Sequence, residues 1–573
     1  MDWFRALLIV AIAVLGWNLI FQWNQDYGHN AALDDSRSLI QPDTITPAPS
    51  NTASTGSKPT VKNQINEALK PSIDKNSQVQ PKSLPEASKP INVTTDTFTV
   101  DIDLNGGDMV YLALRQYPKT VEQPDQPFVM FVSNDSIKYI AESGIIGASS
   151  TDLDGEGARP LFEAKQSSYK LKGDQLVVPL TYTNPAGVQF EKRYIFTKNS
   201  YEIKIEYQVT NQTAEDWLGR PYGRLRRSDF SDPSETGGFG LPTFLGVAYW
   251  DPEERFTKVD FDDIAEAEKA KPVLNKSMEG GWAGILQHYF VAAWTPNPEQ
   301  TNLYRANYNQ DSNVPGGGEY VIDAVVPQIT VQPGHTETVS QSLYVGPKIQ
   351  EKLKKAAEGL NLVVDYGPLF FISDLLMFIL KFIYSIVGNY GFSIILLTLF
   401  VKACLFPLSA KGYKSMAHMR DMQPKMAELK KKFGDDRQKM SEELMRMYKE
   451  EGVNPLGGCL PMLLQMPVFL ALYWALLESV ELRQAPFILW INDLSLMDPY
   501  FLLPLLMGVS MWFQQKLNPT PPDPMQAKVM KFMPIGMTFL FLFFPAGLVL
   551  YWVTNNVLSI TQQAYITKKV SKI

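Results

Sequence analysis

The chain contains little cysteine and little histidine. Its 573 residues include two cysteines and four histidines. Cys404 and Cys459 lie in or beside apolar segments, so we predict small buried hydrophobic residues and not a disulfide framework. A G-x-x-x-x-G-K-[ST] phosphate loop is missing from the sequence, which argues against nucleotide hydrolysis. The sequence therefore predicts no metal ion and no other cofactor.

An overall excess of basic residues is also missing. The net charge is −7. Acidic residues gather in the first two thirds of the chain, whereas Lys and Arg gather in short segments between the C-terminal apolar runs. Bulk charge therefore does not indicate nucleic acid as a direct partner. The length favours two or more folded units.

Long apolar runs, in contrast, are present. The first of them is long enough to cross a bilayer and ends in tryptophan and phenylalanine, which suit a membrane interface. We predict that residues 1–23 form an uncleaved signal anchor with a cytoplasmic N-terminus. A cleaved signal peptide is the alternative. Residues 24–94, rich in Pro, Ser, Thr and Asn, are predicted to be a disordered periplasmic linker.

Apolar and polar residues alternate through residues 95–346, as in FTVDIDLNGGDMVYLAL and QLVVPLTYT. This periodicity predicts half-buried strands and an all-β sandwich. His288 and His335 are interpreted as isolated histidines, and the acidic residues near Asp251 and Glu254 as solvated surface. We therefore expect no catalytic site in this domain. A peptide-binding or sugar-binding groove between the sheets stays open.

Residues 347–388 contain a polar helical stretch followed by LFFISDLLMFILKFIYSIV. Asp374 and Lys381 are seven residues apart in this apolar stretch, so they share one helical face. We predict amphipathic helices that lie on the membrane surface. A membrane-spanning helix is the alternative.

Residues 389–573 contain four apolar regions, and the last is split by Phe544-Pro545-Ala546-Gly547. This predicts a core of five spanning helices, or six with the N-terminal anchor. Residues 409–452 and the later loops and tail are basic, which predicts that they and both termini are cytoplasmic and that the β domain lies on the other side of the membrane.

Methionines recur at helical spacing within residues 409–452 and predict a cytoplasmic hairpin of two antiparallel helices, with a weak point at Pro424. They form either the packing seam of the hairpin or an adaptable surface for apolar client segments. These residues are Met416, Met419, Met422, Met426 and Met440.

Lys402 is an ionisable residue inside the apolar stretch NYGFSIILLTLFVKACLFP, which makes it a candidate functional residue. Thr398 precedes it by one helical turn and shares its face. Further polar residues fall in the cytoplasmic half of the predicted bundle, and they include Gln465, Asn555 and Ser559. We interpret them as the lining of a hydrated cavity open to the cytoplasm. Snorkelling of Lys402 to the interface is the alternative.

Three stretches carry a resemblance to a known family. They are GFSIILLTLFVKACLFPLSAKGYKSMAHMRDMQPKM, NPLGGCLPMLLQMPVFLALYWALLESVELRQAPFILWINDLS and FFPAGLVLYWVTNNVLSITQQ. They resemble the YidC family of membrane protein insertases, and GGWAGILQHYFVAAWTP resembles its periplasmic domain. The resemblance implies an α-helical polytopic membrane protein of the bacterial inner membrane, with six transmembrane helices, a large periplasmic all-β sandwich domain and a cytoplasmic helical hairpin.

The resemblance also implies a cytoplasm-facing hydrophilic groove with one positive residue, usually arginine, at the position of Lys402. Substrate-contacting aromatic residues map to Tyr551 and Trp552, for which internal packing is the alternative. The implied partners are nascent membrane proteins, the Sec translocon, the ribosome, the signal recognition particle receptor and membrane lipids.

We expect a non-enzymatic insertase whose hairpin receives a nascent hydrophobic segment. Its polar flank enters the groove, where Lys402 offsets part of the desolvation cost, and the hydrophobic segment partitions into lipid. Two rivals stay open. A secondary transporter would place Lys402 in its substrate site, although no repeated halves are evident. A membrane-anchored β-domain enzyme would stay active without the C-terminal helices.

Overall fold

The computed structural model describes residues 89–146, 159–234, 243–267, 271–310, 318–433, 436–451, 460–518 and 524–570. The predicted signal anchor at residues 1–23 lies outside the described residues, and so does the predicted linker up to residue 88.

The described strands form two sheets. Strands β1 to β20 are, in chain order, Ile91–Thr94, Phe98–Asp103, Asp108–Pro118, Pro127–Ser133, Lys138–Ile146, Glu163–Ala164, Ser168–Lys170, Gln175–Thr183, Val188–Thr197, Glu202–Asn211, Trp217–Ser228, Gly246–Asp251, Arg255–Asp260, Leu274–Glu279, Trp282–Leu286, Phe290–Pro296, Thr301–Asn309, Glu319–Val325, Ile329–Val331 and Thr336–Pro347. One sheet is eleven-stranded, in the order β14-β17-β18-β11-β5-β4-β3-β2-β1-β7 with β19 paired to β11. The other is nine-stranded, in the order β13-β12-β15-β16-β20-β10-β9-β8-β6.

The period-2 alternation explains this sandwich. In β2 every second side chain is buried, and the buried faces of the two sheets meet in an aromatic core. Phe98 of one sheet, for example, packs edge-on against Phe196 of the other at 6.5 Å between ring centroids. The turn between β2 and β3 needs positive φ at Gly106 and Gly107. The predicted all-β sandwich is confirmed, and its first strand, Ile91–Thr94, begins before the predicted start at residue 95.

Two predictions about single residues are wrong. Asp251 is not solvated surface, because it is only 2% exposed and forms an ion pair with Lys276 of β14. Cys404 is exposed and not buried, since it ends a helix whose outer side no described residue covers. Cys459 lies outside the described residues.

The C-terminal part is helical. Helix α1, Phe261–Glu266, lies between two strands of the sandwich. Helices α2 to α11 are Gln350–Ala356, Phe370–Val387, Tyr390–Cys404, Phe406–Asp421, Gln423–Phe433, Arg437–Glu450, Leu460–Glu478, Leu502–Leu517, Pro524–Phe541 and Ala546–Val570. Short 3-10 turns lie at Leu360–Val363, Gly367–Leu369 and Val480–Leu482. Helices α4, α8, α9, α10 and α11 occupy the five regions in which the sequence predicts spanning helices.

By length and hydropathy, one described helical segment, Gly367–Val387, is sufficient to cross a membrane. The pair α4 and α5, which bend by 71° at their junction, would make a second if it counts as one span. The segment Leu463–Glu478 is apolar but shorter. The count of six spanning helices therefore stays a prediction.

Helix α3 is the segment that the sequence predicts to lie on the membrane surface. Asp374 accepts a hydrogen bond from the Gln350 side chain of α2 at 3.0 Å, and Lys381 forms an ion pair with Glu481 at 2.6 Å. Both partners lie near the sandwich, so polar contacts follow one side of α3 over two turns. A second side of α3, which includes Phe378, is apolar and exposed.

The basic segment folds into a helical hairpin. Helix α5 ends at Asp421 and α6 begins at Gln423, the position at which Pro424 predicts a break. Helices α6 and α7 then pack side by side, with the Tyr448 hydroxyl directed at the Met426 sulfur at 3.7 Å.

Candidate functional site

Lys402 lies near the end of α4 and is buried, with 7% of its surface exposed. Its Nζ donates a hydrogen bond to Ser559 Oγ of α11 at 2.6 Å, and Ser559 Oγ donates to the Asn555 carbonyl at 2.6 Å. The Tyr413 side chain of α5 lies beside Ser559. The lysine ammonium is therefore directed at neighbouring helices within the bundle.

A polar row continues from this point to α8. Asn555 Nδ2 donates to Gln465 Oε1 at 3.1 Å, so Lys402, Ser559, Asn555 and Gln465 join three helices. Gln465 Nε2 is a buried atom for which the described part of the chain supplies no hydrogen-bond partner. A buried donor without a partner is costly unless water or another molecule reaches it.

The charge of Lys402 is not neutralised by the described residues. Within the described ranges, no carboxylate lies at ion-pair distance from its ammonium; Ser559, a neutral group, is its hydrogen-bond acceptor. A buried cation beside neutral dipoles attracts an anionic group and repels a second cation. This electrostatic bias is what the arrangement supplies.

Thr398 does not join the polar row. It is buried, but its hydroxyl donates to the carbonyl of Ile394 on its own helix at 2.6 Å. Threonine satisfies its hydroxyl in this way in helix interiors. Thr398 and Lys402 therefore lie on one face of α4, but among the described residues no hydrogen bond joins them to a common partner.

The two aromatic residues of α11 pack inside the bundle. Tyr551 is buried and stacks on Phe469 of α8 at 6.5 Å between centroids. Trp552 meets Phe469 edge-on at 4.5 Å and lies 5.1 Å from Phe541 of α10. These contacts correspond to the packing alternative, although Trp552 is only partly buried.

Sequence reasoning missed a second polar row on α11. Asn556 Nδ2 donates to Ser510 Oγ of α9 at 3.0 Å, and Gln563 Nε2 donates to Asn518 Oδ1 at 3.0 Å. Asn556 and Gln563 are seven residues apart and share a face, which was the available signal. Their pairing with α9 orients α11 so that Asn555 faces α8 and Ser559 faces α4.

The hairpin methionines are distributed between seam and surface. Met422 is buried, whereas Met416, Met419, Met426 and Met440 are partly exposed. Met445 of α7, which the sequence analysis did not select, is 61% exposed. Both interpretations of the methionines therefore stay open.

The sandwich contacts the end of α8 through residues that sequence reasoning did not connect. His288, interpreted as isolated, donates from Nε2 to the Leu477 carbonyl at 3.0 Å. Lys348 forms an ion pair with Glu478 at 3.4 Å. Burial lowers the pKa of His288 and of Lys348, and Glu478 opposes both shifts. Donors and cations at a helix C-terminus are stabilising.

Comparison with known proteins identifies the family. Residues 382–572 match the family described as 60Kd inner membrane protein, and residues 90–379 match the YidC periplasmic domain. A protein of Pseudomonas fluorescens (strain SBW25) named membrane protein insertase YidC is 46% identical over 578 residues, which cover 100% of this chain and 98% of the relative. The chain belongs to the YidC family of membrane protein insertases.

Other YidC proteins are equally similar. A relative from Stutzerimonas stutzeri (strain A1501) is 46% identical over 572 residues, covering 100% of this chain and 99% of the relative. A crystal structure titled as an active YidC insertase with its first transmembrane domain resolved has 19% identity and a TM-score of 0.35, covering 84% of this chain and 94% of that chain. The resemblance seen in the sequence is confirmed.

Membership of the YidC family makes this chain a membrane protein insertase of the inner membrane with a periplasmic domain, and not an enzyme. The YidC names do not favour the secondary transporter or the membrane-anchored enzyme.

Proposed function

We propose that the polar row of Lys402, Ser559, Asn555 and Gln465 lines a cytoplasm-open groove that receives the hydrophilic flank of a nascent membrane protein. The observation that carries the proposal is a buried ammonium whose described partner is a hydroxyl at 2.6 Å. Such a charge is unfavourable in hydrocarbon unless water or an anionic group compensates it.

The buried charge of Lys402 suits transient binding of a client segment. An acidic or polar flank that enters the groove exchanges bulk water for Lys402 and the neighbouring amides, which lowers its desolvation cost. Lysine provides a point charge without the bidentate geometry of arginine, so attraction matters more than a fixed hydrogen-bond pattern. The hydrophobic part of the client then partitions into lipid, which supplies the driving free energy.

The topology in this proposal places the basic hairpin and both termini in the cytoplasm and the sandwich in the periplasm, with six spanning helices. The basic residues of the segment 409–452 support it through the positive-inside rule. The polar contacts of Asp374 and Lys381 near the sandwich support a surface position for α3, because a helix that leaves the interface would make such contacts only at one end.

The hairpin of α6 and α7 is the proposed receiving element for nascent chains. Its partly exposed methionines, such as Met426, offer deformable apolar contacts. The Sec translocon, the ribosome, the signal recognition particle receptor and membrane lipids complete the proposed set of partners. Crosslinks from Gln465, Tyr551 and Met426 to a stalled nascent chain would test this path residue by residue.

The central test compares Lys402 variants in vesicles that contain the purified full-length protein. We expect Lys402→Ala and Lys402→Met to slow insertion of a single-span client with an acidic translocated tail roughly tenfold, which corresponds to about 1.4 kcal/mol of lost attraction. Lys402→Arg should insert the client at the normal rate because it keeps the charge.

Two controls make the result specific. Lys381→Met removes a lysine that is paired with Glu481 beside the sandwich, and it should leave insertion unchanged. A client with an uncharged tail should be insensitive to all variants. Equal insertion of the acidic client by Lys402→Ala and the unmodified protein would contradict the groove proposal.

A further inference from the structure

The connection between α8 and α9, residues 479–501, carries an exposed apolar tip near its middle, formed by Ile488 and Leu489. Ile488 is 45% exposed and Leu489 is 79% exposed. Leu489 also has a φ of +56°, a left-handed conformation that is unusual for a bulky apolar residue. Such a residue persists only where the surrounding structure holds it in place.

Hydrogen bonds hold the tip. The Phe487 amide donates to the Ile491 carbonyl at 2.9 Å, and the Ile491 amide donates back to the Ile488 carbonyl at 3.2 Å. Asn389 Nδ2, at the start of α4, donates to the carbonyls of Pro486 at 3.2 Å and Phe487 at 3.1 Å. The apolar tip is therefore displayed by a closed turn that is attached to α4.

An exposed apolar strip on α4 leads to this tip. Phe392, Leu396 and Leu399 lie on one side of α4 and are each at least two-fifths exposed. The ring of Phe392 meets the ring of Phe487 edge-on at 5.2 Å. In the topology proposed above, this side of α4 faces lipid and its first turn lies in the outer leaflet.

The base of the same connection is polar and contacts the sandwich. Arg483 donates to the carbonyls of Pro118 at 2.9 Å and Lys119 at 3.0 Å. Glu481 pairs with Lys381 of α3. The connection thus has a charged base at the periplasmic domain and an apolar tip that no described residue covers.

The C-terminal end of the connection also combines exposed apolar side chains with a left-handed residue. Tyr500 is strongly exposed, and Phe501 has a φ of +55° while remaining more than two-fifths exposed. Exposed aromatic residues next to the start of an apolar helix are typical of the membrane–water interface. The tip and the C-terminal end of the connection therefore each present exposed apolar side chains at a left-handed residue, Leu489 and Phe501 respectively.

We propose that Ile488 and Leu489 insert into the outer leaflet of the bilayer and anchor the connection between α8 and α9 at a fixed depth. The occupant of the surface is lipid, because the tip continues the lipid-facing strip of α4. Anchoring there holds the periplasmic end of α8, the helix that carries Gln465, while a client passes. The inference rests on the proposed topology.

A spin label tests the depth of the tip. Leu489→Cys is prepared in full-length protein with Cys404→Ser and Cys459→Ser, labelled, and reconstituted into phosphatidylethanolamine–phosphatidylglycerol vesicles. We expect collisions with oxygen, which concentrates in lipid, to exceed collisions with a water-soluble nickel chelate. Leu161→Cys, an exposed leucine of the sandwich, is the matched control and should show the opposite order. Ile488→Cys provides a second position on the tip.

Two outcomes would overturn the inference. A label at residue 489 that is as accessible to the nickel chelate as the label at residue 161 would place the tip in water. A label shielded from both reagents would show that protein, such as a second copy or a client, covers the tip. Insertion of a client is measured in the same vesicles, so normal insertion with a water-exposed tip would refute the anchor and leave the proposed function intact.

Discussion

Lys402 and His288 are buried ionisable side chains that each make a hydrogen bond to a neutral acceptor on another element. Lys402 donates to Ser559, and His288 donates to the carbonyl of Leu477. Their surroundings give the two contacts different consequences. Lys402 lies among polar side chains that line the proposed groove, whereas His288 joins the sandwich to α8 and becomes unfavourable when it is charged.

The His288 contact predicts a pH dependence of stability. Burial lowers the pKa of His288 below its usual value of 6.5, Lys348 adds to the shift, and Glu478 opposes it. As the pH falls through about 6.5, the unfolded chain binds a proton that the folded chain does not, so the free energy of unfolding falls. His288→Gln removes this titration and keeps a donor for Leu477.

Thermal unfolding of the purified protein at about pH 7.5 and about pH 5.5 measures the effect. We expect the loss of melting temperature on acidification to be smaller in His288→Gln than in the unmodified protein. His335→Gln, which changes an exposed histidine, should behave like the unmodified protein. The same acid-induced loss in all three proteins would refute this role of His288.

Helices α3 and α8 approach each other at a small residue. Ser373 is fully buried, and its hydroxyl donates to the Ala471 carbonyl of α8 at 2.9 Å. Ala471 and Ala475 are also fully buried, so three small side chains permit the close contact. Small residues are typical of helix contacts in membranes. This packing ties α3 to the helix that carries Gln465.

A larger side chain at this contact should destabilise the protein. We expect Ser373→Leu to lower the free energy of unfolding by about 1–3 kcal/mol, because the added methyl groups have no space between the helices. Ser385→Leu on the same helix, at an exposed position, is the control and should have little effect. Unfolding in detergent, followed by melting temperature, distinguishes them; an unchanged melting temperature for Ser373→Leu would contradict the packing argument.

The sandwich carries an excess of acidic residues and has an aromatic core, whereas the helical hairpin is basic. The sandwich contacts the bundle through His288, Lys348 and Arg483, whereas the hairpin extends from α5. The positive-inside rule favours a cytoplasmic position for the Lys and Arg residues of the hairpin, and the proposed topology places the sandwich on the other side of the membrane.

Labelling with a membrane-impermeant maleimide tests this arrangement. In spheroplasts, with both native cysteines replaced by serine, we expect Leu161→Cys on the sandwich to react at once. Met445→Cys on α7, which is similarly exposed, should react only after the membrane is permeabilised. Reaction of both positions in intact spheroplasts would place the hairpin in the periplasm and would refute the proposed topology.

Local pattern accounts for much of the fold. Alternation predicts the strands from residue 95 onwards, apolar runs predict the positions of α4 and α8 to α11, and Pro424 predicts the break between α5 and α6. These features could be predicted from the sequence because each depends on residues that are neighbours in the chain. The family was readable as well, since its segments are long and specific.

The sequence by itself determined the division into an all-β part and a helical C-terminal part, the position of Lys402 in an apolar helix and the membership of the family. The tertiary structure alone decided which side chains meet. Lys402 donates to Ser559, which is 157 residues away in the chain. Thr398 donates to the Ile394 carbonyl of its own helix, and Asp251 is buried and paired with Lys276. The physical reason is that periodicity assigns a residue to a face, whereas contact depends on which faces pack together.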